Sequence, residues 1–144
     1  MSKQAVDTAP KPRRAILIGL ITKHQDADKA QEYLDELSFL VETDGLIPYK
    51  QFTQRLEKPD KTTFVGKGKL NELKAFIKEN DIDVLVFDDE LSPSQQRNLE
   101  KETERKILDR TYLLLEIFAS RARTAQNPLV LIMQSRDVSF KNLL

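Results

Sequence analysis

The chain has 144 residues, which favours a single domain, and its 23 basic residues balance 23 acidic ones, so net charge indicates neither a nucleic-acid binder nor a membrane binder. It contains no cysteine and one histidine, which excludes disulfides, thiolate catalysis, cysteine-based zinc sites and His-rich metal sites. The polar N-terminus and short apolar runs predict neither a signal peptide nor a membrane span, so we expect a cytoplasmic protein without membrane partners.

The first elements follow a polar segment. Residues 1–13 carry two prolines among small and charged residues and predict a disordered lead-in. The nearly unbroken apolar run 14–21 predicts a strand that is buried on both faces. A helix should begin at Asp26 and end at Gly45. Its apolar stripe is expected to be Tyr33, Leu34, Leu37, Leu40 and Val41.

A second strand is predicted for residues 46–54. Pro48 places it at an edge of the sheet, because proline cannot donate a ladder hydrogen bond. Residues 56–69 are polar and irregular, with one extended piece at 63–65. Residues 83–88 predict the third strand. Between them, a helix is expected to carry the apolar residues Leu70, Leu73, Phe76 and Ile77.

The third helix carries the clearest start signal, because Ser92 and Gln95 match a capping box around Pro93. Residues 106–109 predict the fourth strand, and Thr111 is expected to cap the fourth helix. The apolar stripe expected along this last helix is Leu114, Ile117, Phe118 and Ala122.

Four strand–helix repeats indicate an α/β fold with a parallel four-stranded sheet and helices on both faces. We favour the strand order 2-1-3-4, because Pro48 suits an edge and the two most apolar strands suit the centre. The domain should cover residues 14–124. Residues 125–144 fit this pattern poorly, since Pro128 should break the preceding helix.

The segment Val65-Gly66-Lys67-Gly68-Lys69 precedes a helix and is a candidate phosphate-binding turn. A Walker A loop needs Gly, four residues and then Gly-Lys with Ser or Thr, and neither glycine frame has this spacing. Two glycines and two lysines at a helix N-terminus remain able to hold an anion. A flexible basic turn explains the same residues, so the phosphate-binding role stays one of two interpretations.

Charge is distributed unevenly although it cancels overall. The twenty residues from 50 to 69 contain only two acidic residues and six basic ones, namely Lys50, Arg55, Lys58, Lys61, Lys67 and Lys69. A basic loop of this kind is able to contact RNA phosphates. A solvated loop is the simpler interpretation, and composition favours it.

Carboxylates at the end of the third strand are the only catalytic candidates. Asp88, Asp89 and Glu90 lie where α/β sheets usually bind ligands, and such groups suit magnesium or acid–base chemistry. They also precede a helix, where negative charge is favoured for structural reasons. His24 is interpreted as a loop residue, and residues 109–111 as a local cap and ion pair. We therefore expect no catalytic residue, metal site, cofactor or small-molecule substrate in this chain.

Several of these segments together resemble the N-terminal domain of the HflX family of ribosome-associated GTPases. The resemblance runs from about Arg14 to Thr124, and its longest piece has fourteen residues in unbroken order. The matching pieces are Thr53-Gln-Arg55, Lys58-Pro-Asp60, Gly66-Lys-Gly-Lys69, Phe87-Asp-Asp-Glu-Leu-Ser-Pro-Ser-Gln-Gln-Arg-Asn-Leu-Glu100, Leu108-Asp-Arg-Thr111, Ile117-Phe-Ala119 and Arg121-Ala-Arg-Thr124.

The resemblance implies a role for the whole family. Full-length members look like three-part proteins, with this α/β domain, a two-helix coiled coil and a Ras-like GTPase domain that binds GTP and magnesium. They bind the large ribosomal subunit, are linked to splitting or rescuing stalled ribosomes, and are implied to contact ribosomal RNA through the N-terminal domain. The resemblance therefore implies an RNA or inter-domain surface formed by Lys58, Lys61, Gly66, Lys67, Gly68, Lys69 and Arg110.

The chain departs from the family after Thr124, where members continue in a long helix. Residues 127–144 contain neither a coiled coil nor a Walker A motif, so we expect a truncated member that does not hydrolyse GTP itself. Two function classes stay open: a binding module that keeps part of the family's ribosome contacts, or an inactive fragment that is GTP-binding by homology only. An enzyme acting through residues 88–90 is a third and weaker alternative.

Overall fold

A parallel four-stranded sheet with helices packed on both faces forms the domain. The structure is a computed structural model that describes residues 13–125, so residues 1–12 of the expected lead-in and the tail after Ala125 lie outside the described residues. In chain order the elements are β1 (Arg14–Ile21), α1 (Ala27–Thr43), β2 (Ile47–Arg55), α2 (Lys67–Asn80), β3 (Val84–Phe87), α3 (Pro93–Thr103), β4 (Lys106–Asp109) and α4 (Arg110–Ala125).

The strand order is β2-β1-β3-β4, and every neighbouring pair is parallel. This confirms the predicted fold class and order. Pro48 lies in the edge strand β2, opposite Ala15 of β1. Because the outer side of β2 is the edge of the sheet, the missing N–H group of Pro48 interrupts no hydrogen-bond ladder there. No helix within residues 13–125 is long and apolar enough to cross a membrane.

Each face of the sheet has its own hydrophobic core. Successive side chains of β1 point to opposite faces, so Ile16, Ile18 and Leu20 pack with residues of α2 and α3. Ala15 and Leu17 pack on the other face with residues of α1 and α4. Burial on both faces explains why β1 reads as a continuous apolar run.

Two helix starts were correctly predicted from the sequence. The Asp26 carboxylate accepts a hydrogen bond from the Lys29 N–H at 2.9 Å and caps α1. In the capping box of α3, the Ser92 hydroxyl accepts from the Gln95 N–H at 3.1 Å, and the Gln95 side-chain oxygen accepts from the Ser92 N–H at 2.9 Å. Gly45, just after α1, has φ +85°, a left-handed conformation that suits glycine.

The predicted Thr111 cap of α4 was wrong, and of the predicted apolar stripe Ile117 packs against the core while Leu114 and Phe118 are exposed. The Asp109 carboxylate, not Thr111, accepts a hydrogen bond from the Tyr112 N–H at 2.9 Å. Leu113 is fully buried, whereas the expected core residues Leu114 and Phe118 are 45% and 41% exposed. Three consecutive leucines at 113–115 fit more than one helix rotation, and packing against the sheet selects the one that buries Leu113. The Ala122 side chain lies outside the described residues.

Candidate nucleic-acid interface

The basic loop, residues 56–66, begins at the carboxyl end of β2. The Leu56 N–H donates to the Ile21 carbonyl at 3.0 Å, which keeps the start of the loop beside β1. Asp60 organises the loop internally, because its carboxylate accepts from the N–H groups of Thr62 at 2.8 Å and Thr63 at 3.0 Å. The loop is therefore a folded turn with hydrogen bonds of its own.

Helix α3 holds this loop from outside. The Gln95 side-chain amide donates to the Asp60 carbonyl at 2.7 Å, and the Asn98 amide donates to the Thr62 carbonyl at 3.0 Å. These bonds join residues 35 and 36 positions apart in the chain. Because both donors project from a regular helix, the loop backbone is held against α3.

Phe64 anchors the loop from inside. Its backbone has φ 67°, a left-handed conformation that is unusual for an aromatic residue, so the expected extended piece at 63–65 is wrong. The side chain is 1% exposed, and its ring lies edge-on to Phe87 with centroids 5.4 Å apart. Strain of this kind costs about 1–3 kcal/mol and persists only where the surroundings determine the conformation. Burial of the phenyl ring holds the backbone in this conformation.

Three of the predicted site lysines extend into solvent around the loop. Lys58, Lys61 and Lys67 are exposed, and none of them forms an ion pair with another residue in the described part of the chain. A shallow groove of about 400 Å³ lies beside Lys58 and Lys61. Its lining residues are Leu56, Lys58, Pro59, Asp60, Lys61, Thr62 and Gly66. The arrangement presents cations on a backbone that is already ordered.

Lys69 differs from these three lysines. Its ammonium lies 3.1 Å from the Glu72 carboxylate and 5.9 Å from the centre of the Phe52 ring. Lys69, which the sequence places in the phosphate-binding turn, is thus a residue of α2 whose ammonium contacts Glu72 and lies near Phe52. Replacing it would disturb local packing as well as charge.

The two glycines of the predicted phosphate turn have different roles. Gly66 is the N-cap of α2, and its N–H donates to the Gln54 side-chain oxygen at 2.9 Å. A Cβ atom at Gly66 would lie 3.1 Å from the Gln54 amide nitrogen, so a larger residue would push this side chain away. A Cβ atom at Gly68 would meet nothing within 4 Å. One N–H group of the presumed anion cradle is therefore occupied by Gln54.

Arg110 lies apart from the basic loop, on the side of the sheet that carries α1. Its guanidinium donates to the Asp88 carboxylate at 3.1 Å through Nε and to the Tyr33 carbonyl at 3.0 Å. Asp88 is only 8% exposed, so the ion pair neutralises a buried charge. Arg110 thus has a structural partner at the position where the sequence predicted a surface cation.

Asp109, near the same end of the sheet, also has structural partners. Asp109 accepts from the Leu91 N–H at 3.0 Å with one oxygen and caps α4 with the other. Burial raises the pKa of Asp89, the Asp88 charge raises it further, and the Arg110 charge opposes both. Within residues 13–125, no group of three or more His, Cys, Asp or Glu side chains is arranged to hold a metal ion. His24 is an exposed loop residue, as expected.

Sequence reasoning missed the residues that order the loop. The capping box predicts the role of Gln95 at the start of α3, but the same amide also reaches the Asp60 carbonyl. Asn98 carries no local signal, because its partner lies 36 residues away. The aromatic residues Tyr49 and Phe76, whose ring centroids lie 6.0 Å apart, were also not assigned to a surface.

Comparison with known families identifies similar proteins. A protein-family profile described as "GTP-binding GTPase N-terminal" matches residues 31–119. GTPase HflX of Flavobacterium psychrophilum is 49% identical over 112 residues, which are 78% of this chain and 27% of that protein. GTPase HflX of Escherichia coli K12 is 41% identical over 102 residues, which are 71% of this chain and 24% of that protein. The chain spans about a quarter of the length of these relatives.

Solved structures share the fold. The crystal structure of SsGBP in complex with GDP has a TM-score of 0.58 and 25% identity, and the match covers 74% of this chain and 29% of that one. A GTP-binding protein from the archaeon Sulfolobus solfataricus, in complex with GDP, has a TM-score of 0.56 and covers 90% of this chain and 41% of its own. Its identity of 21% supports the fold alone.

Proposed function

The chain belongs to the GTP-binding GTPase N-terminal family as an HflX-type N-terminal domain, and from this premise we propose that it is an RNA-binding module for the large ribosomal subunit. The proposed ligand is ribosomal RNA, and the proposed contact is the basic loop of residues 56–66 with the following Lys67. The compartment that this function requires is the cytoplasm.

The observation that carries this proposal is the combination of a fixed backbone with exposed cations. The carbonyls of Asp60 and Thr62 accept hydrogen bonds from side chains of α3. Lys61 lies between these two residues and Lys58 just before them, and both lysines extend into solvent. A loop that is already ordered loses less conformational entropy on binding than a flexible one. Lysine ammonium groups neutralise phosphates and release counterions, which makes such binding dependent on salt.

In this proposal, GTP binding and hydrolysis belong to a part of HflX proteins other than this domain. HflX relatives are named GTPases, and the chain covers about a quarter of their length. We place GTP and magnesium binding in the remaining part of such proteins. The glycine–lysine segment 66–69 lacks the Walker A spacing, and the Gly66 N–H is bonded to Gln54, so a role for this chain in binding rather than hydrolysis is favoured.

Sedimentation with purified large ribosomal subunits at two salt concentrations tests the proposal. The wild-type chain should pellet with the subunits at low salt and less at high salt. The double variant Lys58→Ala/Lys61→Ala should pellet less. Its salt slope should fall by about 0.7–0.9 for each phosphate contact removed. Both side chains are exposed, so the fold should persist.

A matched control removes two positive charges from the helices on the other face of the sheet. Lys29 lies on α1 and Arg121 on α4, and both side chains are exposed. The variant Lys29→Ala/Arg121→Ala should pellet like the wild type. Equal pelleting of all three proteins would show that the loop is not the contact. No pelleting of the wild type would overturn the proposal and favour the inactive fragment.

A further inference from the structure

A β-bulge in the edge strand re-aims one aromatic side chain. Ala15 of β1 pairs with Pro48, and Ile16 pairs with Lys50, so Tyr49 is the extra residue in β2. Its hydroxyl donates to the Asn80 side-chain oxygen at 3.2 Å. These contacts direct Tyr49 toward α2 at the outer edge of the sheet, where it remains 42% exposed.

Tyr49 is the outermost ring of an aromatic cluster. Its ring centroid lies 6.0 Å from that of Phe76, which in turn lies edge-on to Phe52 at 5.1 Å. Phe52 is buried and fixes the base of the cluster, while Phe76 is partly buried above it. The cluster thus offers aromatic surface on a rigid support.

Positive charges surround these rings. The Arg14 guanidinium lies 4.8 Å from the Tyr49 ring centre. The Lys50 ammonium lies 5.9 Å from the ring centres of both Phe52 and Phe76. Arg14 also donates to the Asn80 carbonyl at 2.7 Å, which holds its planar group beside Tyr49. Cations and aromatic faces therefore alternate along this edge.

This surface adjoins the basic loop. Lys69, close to Gly66 at the start of α2, lies over the same Phe52 ring as Lys50. From Lys67 to Phe76, helix α2 extends for about 14 Å along this side of the molecule. A backbone bound at the loop is thus able to continue toward Tyr49.

We propose that Arg14, Tyr49, Lys50 and Phe76, named here the β2 patch, bind unpaired nucleotides of RNA, with a base stacked on Tyr49. The inference takes only its ligand class, RNA, from the proposed function. The surface and the contact that it names are separate from the basic loop. An aromatic ring beside cations matches a base beside its phosphates, and base stacking on such rings is independent of sequence. A purely apolar partner would leave Arg14 and Lys50 without counter-charges.

Fluorescence anisotropy with a labelled uridine dodecamer tests this assignment on the full 144-residue chain. Tyr49→Ala should weaken binding by at least about fivefold, whereas Tyr49→Phe keeps the ring and should bind within twofold of the wild type. Polyphosphate, which carries charge without bases, should bind equally to all three proteins. Phe39→Ala removes a 73% exposed ring from α1 and should change neither affinity.

Each outcome decides the assignment. Loss of dodecamer affinity in Tyr49→Ala with unchanged polyphosphate affinity supports base stacking. Equal weakening of both probes, no weakening, or no binding of the dodecamer by the wild type overturns it. If the wild type binds the dodecamer through Tyr49 but does not pellet with ribosomal subunits, the proposed ribosomal function fails and the β2 patch stands.

Discussion

The Gln95 side chain joins the N-terminus of α3 to the Asp60 carbonyl of the basic loop. Its oxygen accepts from the Ser92 N–H at 2.9 Å, and its nitrogen donates to the Asp60 carbonyl at 2.7 Å. One amide thus completes a helix cap and fixes a loop 35 residues away. The same side chain therefore serves both the start of α3 and the basic loop.

The variant Gln95→Glu separates these two roles. A glutamate keeps an oxygen for the capping box but loses the donor to the Asp60 carbonyl, so we expect the loop to loosen while α3 stays capped. Amide exchange at Thr62 and Thr63 should accelerate in Gln95→Glu. Ser92→Ala should instead cost about 1 kcal/mol of stability and leave the exchange of these loop amides slow. Equal loop exchange in both variants would show that the hydrogen bond from Gln95 to the Asp60 carbonyl does not hold the loop.

Arg110→Ala tests whether Arg110 supports the fold or binds RNA. Removal of its guanidinium leaves the Asp88 carboxylate buried without its partner, which should cost about 3 kcal/mol in the free energy of unfolding. Urea denaturation measures this change. Unchanged stability together with weaker ribosome pelleting would instead support the surface role that the resemblance implied.

The contact between Asp44 and Glu116 makes stability depend on pH. Burial raises the pKa of Asp44 from 3.8 to about 7, and the hydrogen bond and charge of Glu116 add to the increase. Between these two pH values the folded protein keeps a proton that the unfolded chain releases, so the free energy of unfolding falls as pH rises through this range. Lys106, whose ammonium lies 2.6 Å from the Glu116 carboxylate, partly opposes the effect.

Asp44→Asn should therefore stabilise the protein above pH 7. The gain should be about 1 kcal/mol, because solvent at this partly exposed pair screens much of the electrostatic cost. Thermal unfolding at pH 5.5 and pH 8.5 gives the comparison: the wild type should lose stability over this interval and the variant should lose less. Parallel losses in both proteins would show that another group carries the pH dependence.

Isothermal calorimetry with GTP and magnesium should show no saturable binding to this chain. The chain lacks the Gly-x4-Gly-Lys-Ser/Thr spacing that places backbone N–H groups, a lysine and a hydroxyl around phosphates and magnesium. The Gly66 N–H, which such a cradle would use, donates to Gln54 instead. A saturable signal in the micromolar range would reveal a nucleotide site of another kind.

Two neighbouring leucines of α4 provide a test of the helix rotation. Leu113 is fully buried, so Leu113→Ala should lower the free energy of unfolding by about 2–5 kcal/mol. Leu114 is 45% exposed, so Leu114→Ala should change it by about 0.5 kcal/mol or less. Each variant replaces one leucine by alanine, so chemical denaturation compares the two positions directly. Equal losses in the free energy of unfolding would contradict the structure.

The amino-acid sequence by itself determined the fold class, the strand order and the starts of α1 and α3. These features depend on local signals: the continuous apolar run of β1, the position of Pro48, and the side chains of Asp26 and Ser92. A hydrogen bond across three residues or a nearly unbroken apolar run is visible without knowledge of distant contacts. The lysines of the basic loop were likewise visible as a local excess of positive charge.

Only the tertiary structure decided how these pieces meet. The amide of Gln95 reaches Asp60, Arg110 pairs with Asp88, and Leu113 rather than Leu114 faces the sheet. The register shift between β1 and β2, which makes Tyr49 a bulge residue, is likewise set by how the two strands pair. Each of these relationships joins residues distant in the chain or depends on helix rotation and strand register. Packing sets them, because local preferences leave several arrangements close in energy.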